Sequence, residues 1–523
     1  MPALPQLIRR FETAPLPELL EAVKRPTAAE AEAFCQWLGP ARYETLRRRS
    51  LANAGEARRT RAARGPKPNA VVLHGIMGAE LTVRKGRDED LVWVNIFRLG
   101  FGQISRLKMK TDGTPETDSF ASGMMRKYYL ELLLGLTEDA NVQAFWFDWR
   151  RDLKDSADQL QASIQSWFGS TAPVMLVGHS MGGLVARTWI RHYGSRWDRN
   201  CRLVMLGTPN HGSFAIPQVI TGAHKMVRKL ATVDQRHSLA SFTGILNTFP
   251  GSLTMLPSPL VLPEMAKLYD AATWTGRGVS QAMLDRARRH HDSLAGITDA
   301  ERMIFVAGSG HLTAHGVRNW NALGSLDGYT HTPEGDETVP HVLGFLNKVP
   351  VRYSPATHGG LPNDADVVSA VRQYLAGEEM AALAEAAPVI RGRTRGPASV
   401  KALSAAWDAE VAEFGALAWA QRSRGPRSPV ADVESFLLRG FLGDGSMGPD
   451  HSKTVPVPGK RTRGATAALT FATEFHESFP GSTGSRAFPS VKPSAVPAAP
   501  PLPAVIRPTH GGPINITGTP GSD

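Results

Sequence analysis

The chain has 523 residues, 42% of them hydrophobic and 20% charged, and carries a net charge of +11. That balance fits a globular protein of one large domain with insertions or of several smaller ones. Two cysteines, Cys35 and Cys201, offer neither a disulfide framework nor a metal-ligand spacing, so no metal is expected and a reducing compartment is. Residues 1–20 lack the apolar core of a secretory signal, and nowhere do about 18 uncharged apolar residues run together, the length a membrane span needs. The expectation is a cytoplasmic protein without a membrane span.

Residues 17–39 have helical spacing, with Leu19, Leu20, Val23, Ala31 and Phe34 apolar and Thr27 placed as an N-cap ahead of Glu30. Residues 41–68 then hold nine Arg or Lys against two Glu, a segment that suits an anionic membrane surface, an acidic partner, or simply a solvated helix and linker. From 70 to 375, short apolar runs alternate with helical patterns, which predicts an α/β domain with a mostly parallel sheet covered on both faces. The runs are 70–73, 142–147, 174–177, 203–206 and 303–307, with a last strand at 351–353 and a closing helix at 364–375.

Between 214 and 298 no strand is apparent, and helical segments carry scattered Gly, Pro, Met and His. An insertion after the strand that follows the elbow described next is where a cap over a pocket would be built. Residues 378–387 have strong helix composition, and 402–414 are again helical. Residues 480–523 contain about ten prolines with Ser, Gly and Ala, a composition that cannot bury a core. The predicted layout is a basic helical N-terminal extension (1–68), the α/β domain (69–376) with its cap insertion (214–298), a helical C-terminal extension (377–440) and a disordered tail (441–523).

The sharpest feature is Gly178-His179-Ser180-Met181-Gly182, set between the apolar run 174–177 and a helical face made by Leu184, Val185, Trp189 and Ile190. A serine hydroxyl becomes a nucleophile when a strand-to-helix turn lifts it clear of the backbone beside a base. Glycines on either side let strand and helix approach. Ser180 is the candidate nucleophile. His179, although its neighbour, should be turned away by the elbow into packing.

Such a serine needs a base, a carboxylate to orient that base, and donors for an oxyanion, in the chain order serine, acid, histidine. Among 16 histidines, His358 sits in a Gly-rich loop between the last strand and the closing helix, with His341 second. Asp336, in the turn Glu334-Gly-Asp-Glu-Thr-Val-Pro340, is the candidate acid; Asp327 and Glu337 compete with it. The backbone N–H of Met181 and that of Ile76, in His74-Gly75-Ile76-Met77-Gly78, are the candidate oxyanion donors.

Together these segments resemble the lecithin:cholesterol acyltransferase family of α/β-hydrolases, which includes phospholipid:diacylglycerol acyltransferases and related lipases and phospholipases. The resemblance also rests on Val92-Trp-Val-Asn95, Phe147-Asp-Trp-Arg-Arg-Asp152, Gly207-Thr-Pro-Asn-His-Gly-Ser213, Phe249-Pro-Gly251 with Met255-Leu-Pro257, and Gly308-Ser-Gly310 with Gly335-Asp-Glu-Thr-Val-Pro340. It covers roughly 69–375, and the family's acid falls on Asp336, whereas His358 matches by position only. His74-Gly75 departs from the Pro-Gly of many members. What the resemblance implies is an α/β-hydrolase fold and an acyl-serine enzyme acting on lipid esters without a cofactor, as a hydrolase or an acyltransferase. Three rival functional readings stay open: a catalytically silent binding module, an effector whose C-terminal extension recruits protein partners, and peptidase or thioesterase chemistry on the same triad. Nucleic-acid binding rests on charge alone, with no recognisable motif.

Overall fold

The computed structural model describes residues 4–60, 67–387, 399–424 and 437. Six parallel strands form the central sheet in the order Val351–Ser354, Met303–Gly308, Arg202–Leu206, Met175–His179, Asn69–Leu73, Asn141–Phe145. The five predicted apolar runs and the predicted last strand each supply one strand of this sheet, the run 142–147 overshooting its strand by two residues. The strands read as continuous apolar runs because parallel neighbours need helical crossovers that cover the sheet. Helices Leu130–Thr137, Leu153–Phe168, Met181–His192 and Ala365–Leu375 are among those that do so. Asp364 starts the closing helix by accepting from the N–H groups of Asp366 and Val367. The α/β-hydrolase expectation is met.

The insertion after Leu206 is helical, as expected. It comprises Ala215–Thr221, Lys225–Val233, Leu239–Leu246, Pro250–Leu253 and Gln281–Leu294, with short 3-10 turns between the last two. Two smaller β elements were not anticipated. Asp88–Trp93, Ala79–Lys85 and Ser119–Met124 form an antiparallel three-stranded sheet, and Thr313–Val317 pairs with Tyr329–Thr332 in a second, two-stranded one.

At the N-terminus the helical segment 17–39 divides into Leu16–Lys24 and Ala28–Leu38. Pro26 disfavours helical geometry at Arg25 and has no N–H to give. Thr27 and Glu30 then form a reciprocal capping box. The following helix, Pro40–Thr60, spends part of its basic charge inward: Arg42, buried, donates to both carboxylate oxygens of buried Glu131 and to the carbonyl of Lys127.

The helix expected at 378–387 does not form. Gly377, at φ 79°, ends the preceding helix, and Ala384 makes an antiparallel bridge to Tyr353 at the sheet edge. A stretch this short is marginal as an isolated helix, and pairing with an edge strand satisfies its backbone instead. Helical structure resumes over Val400–Arg424, longer than the 402–414 expected. This helix lies on the cap: Glu410 pairs with Lys225 and Lys229, Asp408 pairs with Arg228, and the Lys225 ammonium sits over the Trp407 ring. The disordered-tail expectation for 441–523 lies outside the described residues. Among the described residues no helix is long and apolar enough to cross a membrane.

Candidate active site

Ser180 occupies the single residue between strand Met175–His179 and helix Met181–His192, at φ 52° and ψ −125°. A side chain at positive φ is strained, and the surrounding contacts must hold it there. They are tight. A Cβ on Gly178 would stand 2.5 Å from the nitrogen of Gly183, and one on Gly182 would stand 2.5 Å from the carbonyl of Leu73. Strand, helix and the neighbouring strand therefore touch through glycines, while the Ser180 N–H donates to Leu206 O at 2.9 Å.

His358 begins the short turn His358–Asn363 ahead of the closing helix. Its Nε2 lies 3.0 Å from Ser180 Oγ, and its Nδ1 lies 2.9 Å from Asp336 Oδ2. An ionised carboxylate can only accept, so the ring carries its proton on Nδ1 and Nε2 is open to the serine hydroxyl. The other oxygen of Asp336, Oδ1, accepts from the N–H groups of Thr338 at 3.0 Å and Val339 at 2.7 Å. Burial by itself would raise the Asp336 carboxyl, but His358 and these hydrogen bonds outweigh it and hold the carboxyl below its ordinary range. The backbone is tied as well, since the His358 N–H donates to Asp336 O at 2.8 Å. Gly207, at φ 58°, passes so close that a Cβ there would stand 3.0 Å from both Asp336 Oδ2 and His358 Nδ1. Ser180, Asp336 and His358 are 3%, 1% and 0% exposed, so the three side chains are closed off from solvent.

The loop after the first strand packs directly on the serine. A Cβ on Gly75 would meet Ser180 Cβ at 2.9 Å. The Gly75 carbonyl accepts from the Gly78 N–H at 3.1 Å and lies 2.6 Å from His74 Nδ1. Because the Phe147 N–H donates to His74 Nε2, His74 Nδ1 is the protonated nitrogen and donates to that carbonyl. This carbonyl and the Ile76 N–H belong to one planar peptide and point in opposite directions. Trp93 Nε1 donates to Met77 O, and Trp149 Nε1 to Ala79 O, fixing the rest of the loop. Met181 contributes the first N–H of its helix, one that helix geometry leaves without an intrahelical acceptor.

The competing candidates lie elsewhere. Asp327 is exposed in a turn between the two strands of the small hairpin, and Glu337 is exposed, its N–H donating to Thr313 Oγ1. His341 is buried and donates from Nε2 to Gly308 O at 3.0 Å. His179 is buried and turned from the hydroxyl as expected, yet it is hydrogen-bonded at both nitrogens, to Tyr129 Oη and to the His358 carbonyl. Neither Tyr129 nor the fixing role of His74 was expected. No periodicity or spacing marks a side chain whose partner is a loop carbonyl far away in sequence. Among the described residues no group of three or more His, Cys, Asp or Glu could hold a metal ion.

The more distant motifs are contact pairs. Buried Arg150 binds Asp148, the Leu107 carbonyl and Ser119 Oγ, while its own carbonyl accepts from the Gly251 N–H at 2.8 Å. Trp149 meets Phe249 edge-on at 5.7 Å. The Ser213 N–H donates to Met255 O, and the Ser258 N–H to His211 O, both at 2.8 Å. The cap is thereby clipped to the ends of two central strands.

Residues 126–286 match the lecithin:cholesterol acyltransferase family. No curated protein sequence matches the chain. Among solved structures, the Tle4-Tli4 complex shows 14% identity, covering 60% of this chain and 98% of that one, with a TM-score of 0.41. The mature form of the Bacillus licheniformis lipase BlEst2 shows 15% identity, covering 56% of this chain and 85% of that one, with a TM-score of 0.25. The match covers less than a third of the chain: residues 126–286 are similar to that family, and the parallel sheet with its covering helices is an α/β-hydrolase architecture.

Proposed function

We propose that the protein is a serine esterase acting on lipid esters, as a lipase, phospholipase or O-acyltransferase, through an acyl-serine intermediate. The observation that carries this reading is the hydrogen-bonded chain from Ser180 through His358 to Asp336 at 3.0 and 2.9 Å, with the serine on a strained elbow. His358 Nε2 takes the hydroxyl proton as Ser180 Oγ bonds to the ester carbonyl carbon. The N–H groups of Ile76 and Met181 face the resulting oxyanion. When the tetrahedral adduct collapses, the ester C–O bond breaks and His358 returns its proton to the leaving alcohol. Water then releases a fatty acid, or a bound alcohol accepts the acyl group. Asp336 stays ionised throughout and holds the imidazole in the tautomer this sequence needs.

The lipid class of the substrate is supported by the family match over 126–286. With Ser180, Asp336 and His358 buried, a lipid reaches them only after local opening of the covering segments. The test is mass spectrometry of products from mixed phospholipid vesicles and a short-chain ester, with and without a long-chain alcohol, comparing wild type with Ser180→Ala. Free fatty acid or acylated alcohol from wild type alone is expected. Equal product from both proteins on every ester would overturn the reading.

The basic N-terminal region is proposed to meet anionic membrane surfaces, and the C-terminal extension to meet protein partners. Retained binding to anionic vesicles after charge removal at Arg47, Arg48 and Arg49 would count against the first. Unchanged partner recovery from a chain ending at residue 376 would count against the second.

A further inference from the structure

Two buried groups that the proposed chemistry does not use stand directly behind it. His179 Nε2 lies 2.9 Å from the carbonyl of His358, and a carbonyl only accepts, so Nε2 carries the proton. Its Nδ1 is then an acceptor, 3.1 Å from Tyr129 Oη, and the tyrosine hydroxyl donates to it. The same Tyr129 oxygen accepts from the Gly75 N–H at 2.8 Å. The result is one directional chain: Gly75 N–H to Tyr129 Oη, Tyr129 O–H to His179 Nδ1, His179 Nε2–H to the His358 carbonyl. Each member is fully buried, so each link once formed has no water to replace it. The two ends of the chain are the loop packed against Ser180 Cβ and the residue whose ring contacts Ser180 Oγ.

We propose that Tyr129 and His179 are positioning residues that lock the His358 backbone and the Gly75 loop into register with each other across the elbow. The inference rests on the serine-esterase reading for its catalytic consequence, though not for the hydrogen bonds themselves. The direction of the chain cannot be reversed without leaving a buried donor facing a donor, because both of its ends are backbone groups of fixed polarity. Burial, with His358 close by, pushes the His179 ring down to about 3, so it stays neutral and keeps one acceptor nitrogen throughout the working range. A histidine at this position thus does what an aliphatic residue could not. It ties the base loop to the elbow strand through a side chain that follows the nucleophile's own backbone.

The test uses the full chain with Tyr129→Phe, His179→Gln and His179→Phe. Tyr129→Phe removes one oxygen and no ring packing, and His179→Gln keeps an amide donor for the His358 carbonyl. The expected result is a kcat loss of about 10- to 100-fold for Tyr129→Phe and His179→Phe, the scale on which a shift near 1 Å at a reacting centre acts. KM should change less than twofold, Tyr129→Phe should still melt cooperatively though at a somewhat lower temperature because the Gly75 N–H and His179 Nδ1 lose their buried partner, and His179→Gln should recover part of the loss. An unchanged kcat per folded molecule in Tyr129→Phe would overturn the proposal and leave the pair a packing feature. A second readout separates this from the parent reading. With 15N-labelled histidine, assigned by loss of signal in His179→Gln and His358→Gln, the His179 spectrum should be that of the Nε2–H tautomer, and Tyr129→Phe should shift the His358 ring signals. If wild type and Ser180→Ala are equally inert on esters, the parent reading fails, and this measurement still decides the coupling: shifted His358 signals support it and unmoved ones overturn it.

Discussion

Lowering the pH from 7 to 5 should unfold this protein, and the size of the effect follows from five buried histidines. His74, His179, His224, His290 and His291 are each 9% exposed or less. Burial is the main cause that lowers all five, to about 4 for His74 and about 3 for the others, with nearby Lys225 and Lys229 adding to the effect at His224 and Arg187 at His290. The contacts agree. In His74, His179 and His224 one ring nitrogen accepts a hydrogen bond that a second ring proton would break. Each group binds its proton far more weakly folded than unfolded, where the value is near 6.5. Stability from each is therefore complete above about 6.5 and drains away as the pH falls toward 3 to 4. At pH 5 all five are still neutral when folded, so each favours the unfolded chain by about 2 kcal/mol relative to pH 7.

Five such groups amount to about 10 kcal/mol, against a total stability of roughly 5–15 kcal/mol for a typical protein. The depressed carboxyl of Asp336 has the same sign, although its contribution is lost only below about pH 4. The assay is urea unfolding followed by circular dichroism at half-unit steps from pH 7.5 to 4.5. Between pH 6 and 5 the unfolding free energy should fall ever more steeply, approaching a slope of about 7 kcal/mol per pH unit. In His290→Leu that slope should be shallower by one proton, about 1.4 kcal/mol per unit. A free energy that stays level from pH 7 to 5 would refute the reasoning, since it would mean that these rings are protonated in the fold or reach water.

Replacing Asp336 by Asn should lower kcat about 10⁴-fold on a short-chain ester at pH 7 with little change in KM, because an amide can donate to Nδ1 and stabilise the wrong tautomer; a loss below tenfold would remove Asp336 from the role. Gly75→Ala puts a methyl 2.9 Å from Ser180 Cβ, where carbon atoms rest at about 3.5–4.0 Å. The serine or the loop must yield by up to about 1 Å, and kcat should drop about 100-fold in a protein that still melts cooperatively; full activity would show that the loop has slack. Asp148→Asn removes the carboxylate from Arg150, whose side chain is fully buried, and should cost about 3–5 kcal/mol in urea unfolding. A cost under 1 kcal/mol would show that the Leu107 carbonyl and Ser119 suffice to hold that guanidinium.

The central sheet was legible because strands covered on both faces leave no polar alternation to confuse the reading, and Ser180, Asp336 and His358 meet where the chain order serine, acid, histidine places them. What escaped was set by tertiary partners. The strand Ala79–Lys85 carries Glu80, Arg84 and Lys85, its burial runs through the consecutive residues Leu81, Thr82 and Val83 without alternating, and the brief alternation of its sequence does not mark it off from a loop. Residues 378–387 have the composition of a helix but take the backbone partner offered by Tyr353. His179 illustrates the general case: its neighbour Ser180 made packing the reasonable expectation, whereas its two hydrogen bonds go to residues 50 and 179 positions away.

The scattered motifs make sense as mutual constraints on one loop-rich face of the sheet. Gly251 must be glycine because a Cβ there would lie 2.5 Å from the carbonyls of Trp149 and Arg151, so the cap signature and the Asp148-Trp149-Arg150 motif specify each other's backbone. In turn Trp149 Nε1 holds the carbonyl of Ala79, and Trp93 Nε1 that of Met77, at the far end of the loop whose Gly75 rests on Ser180. A disturbance in the cap at Phe249 or Gly251 therefore has a continuous path of close contacts to the loop 74–78, by way of Trp149. The C-terminal helix joins the same assembly from outside, through Glu410 on Lys225 and Lys229. Because those pairs lie between the helix and the cap, severing them should loosen the outer side of the cap and leave the contacts among Ser180, His358 and Asp336 in place.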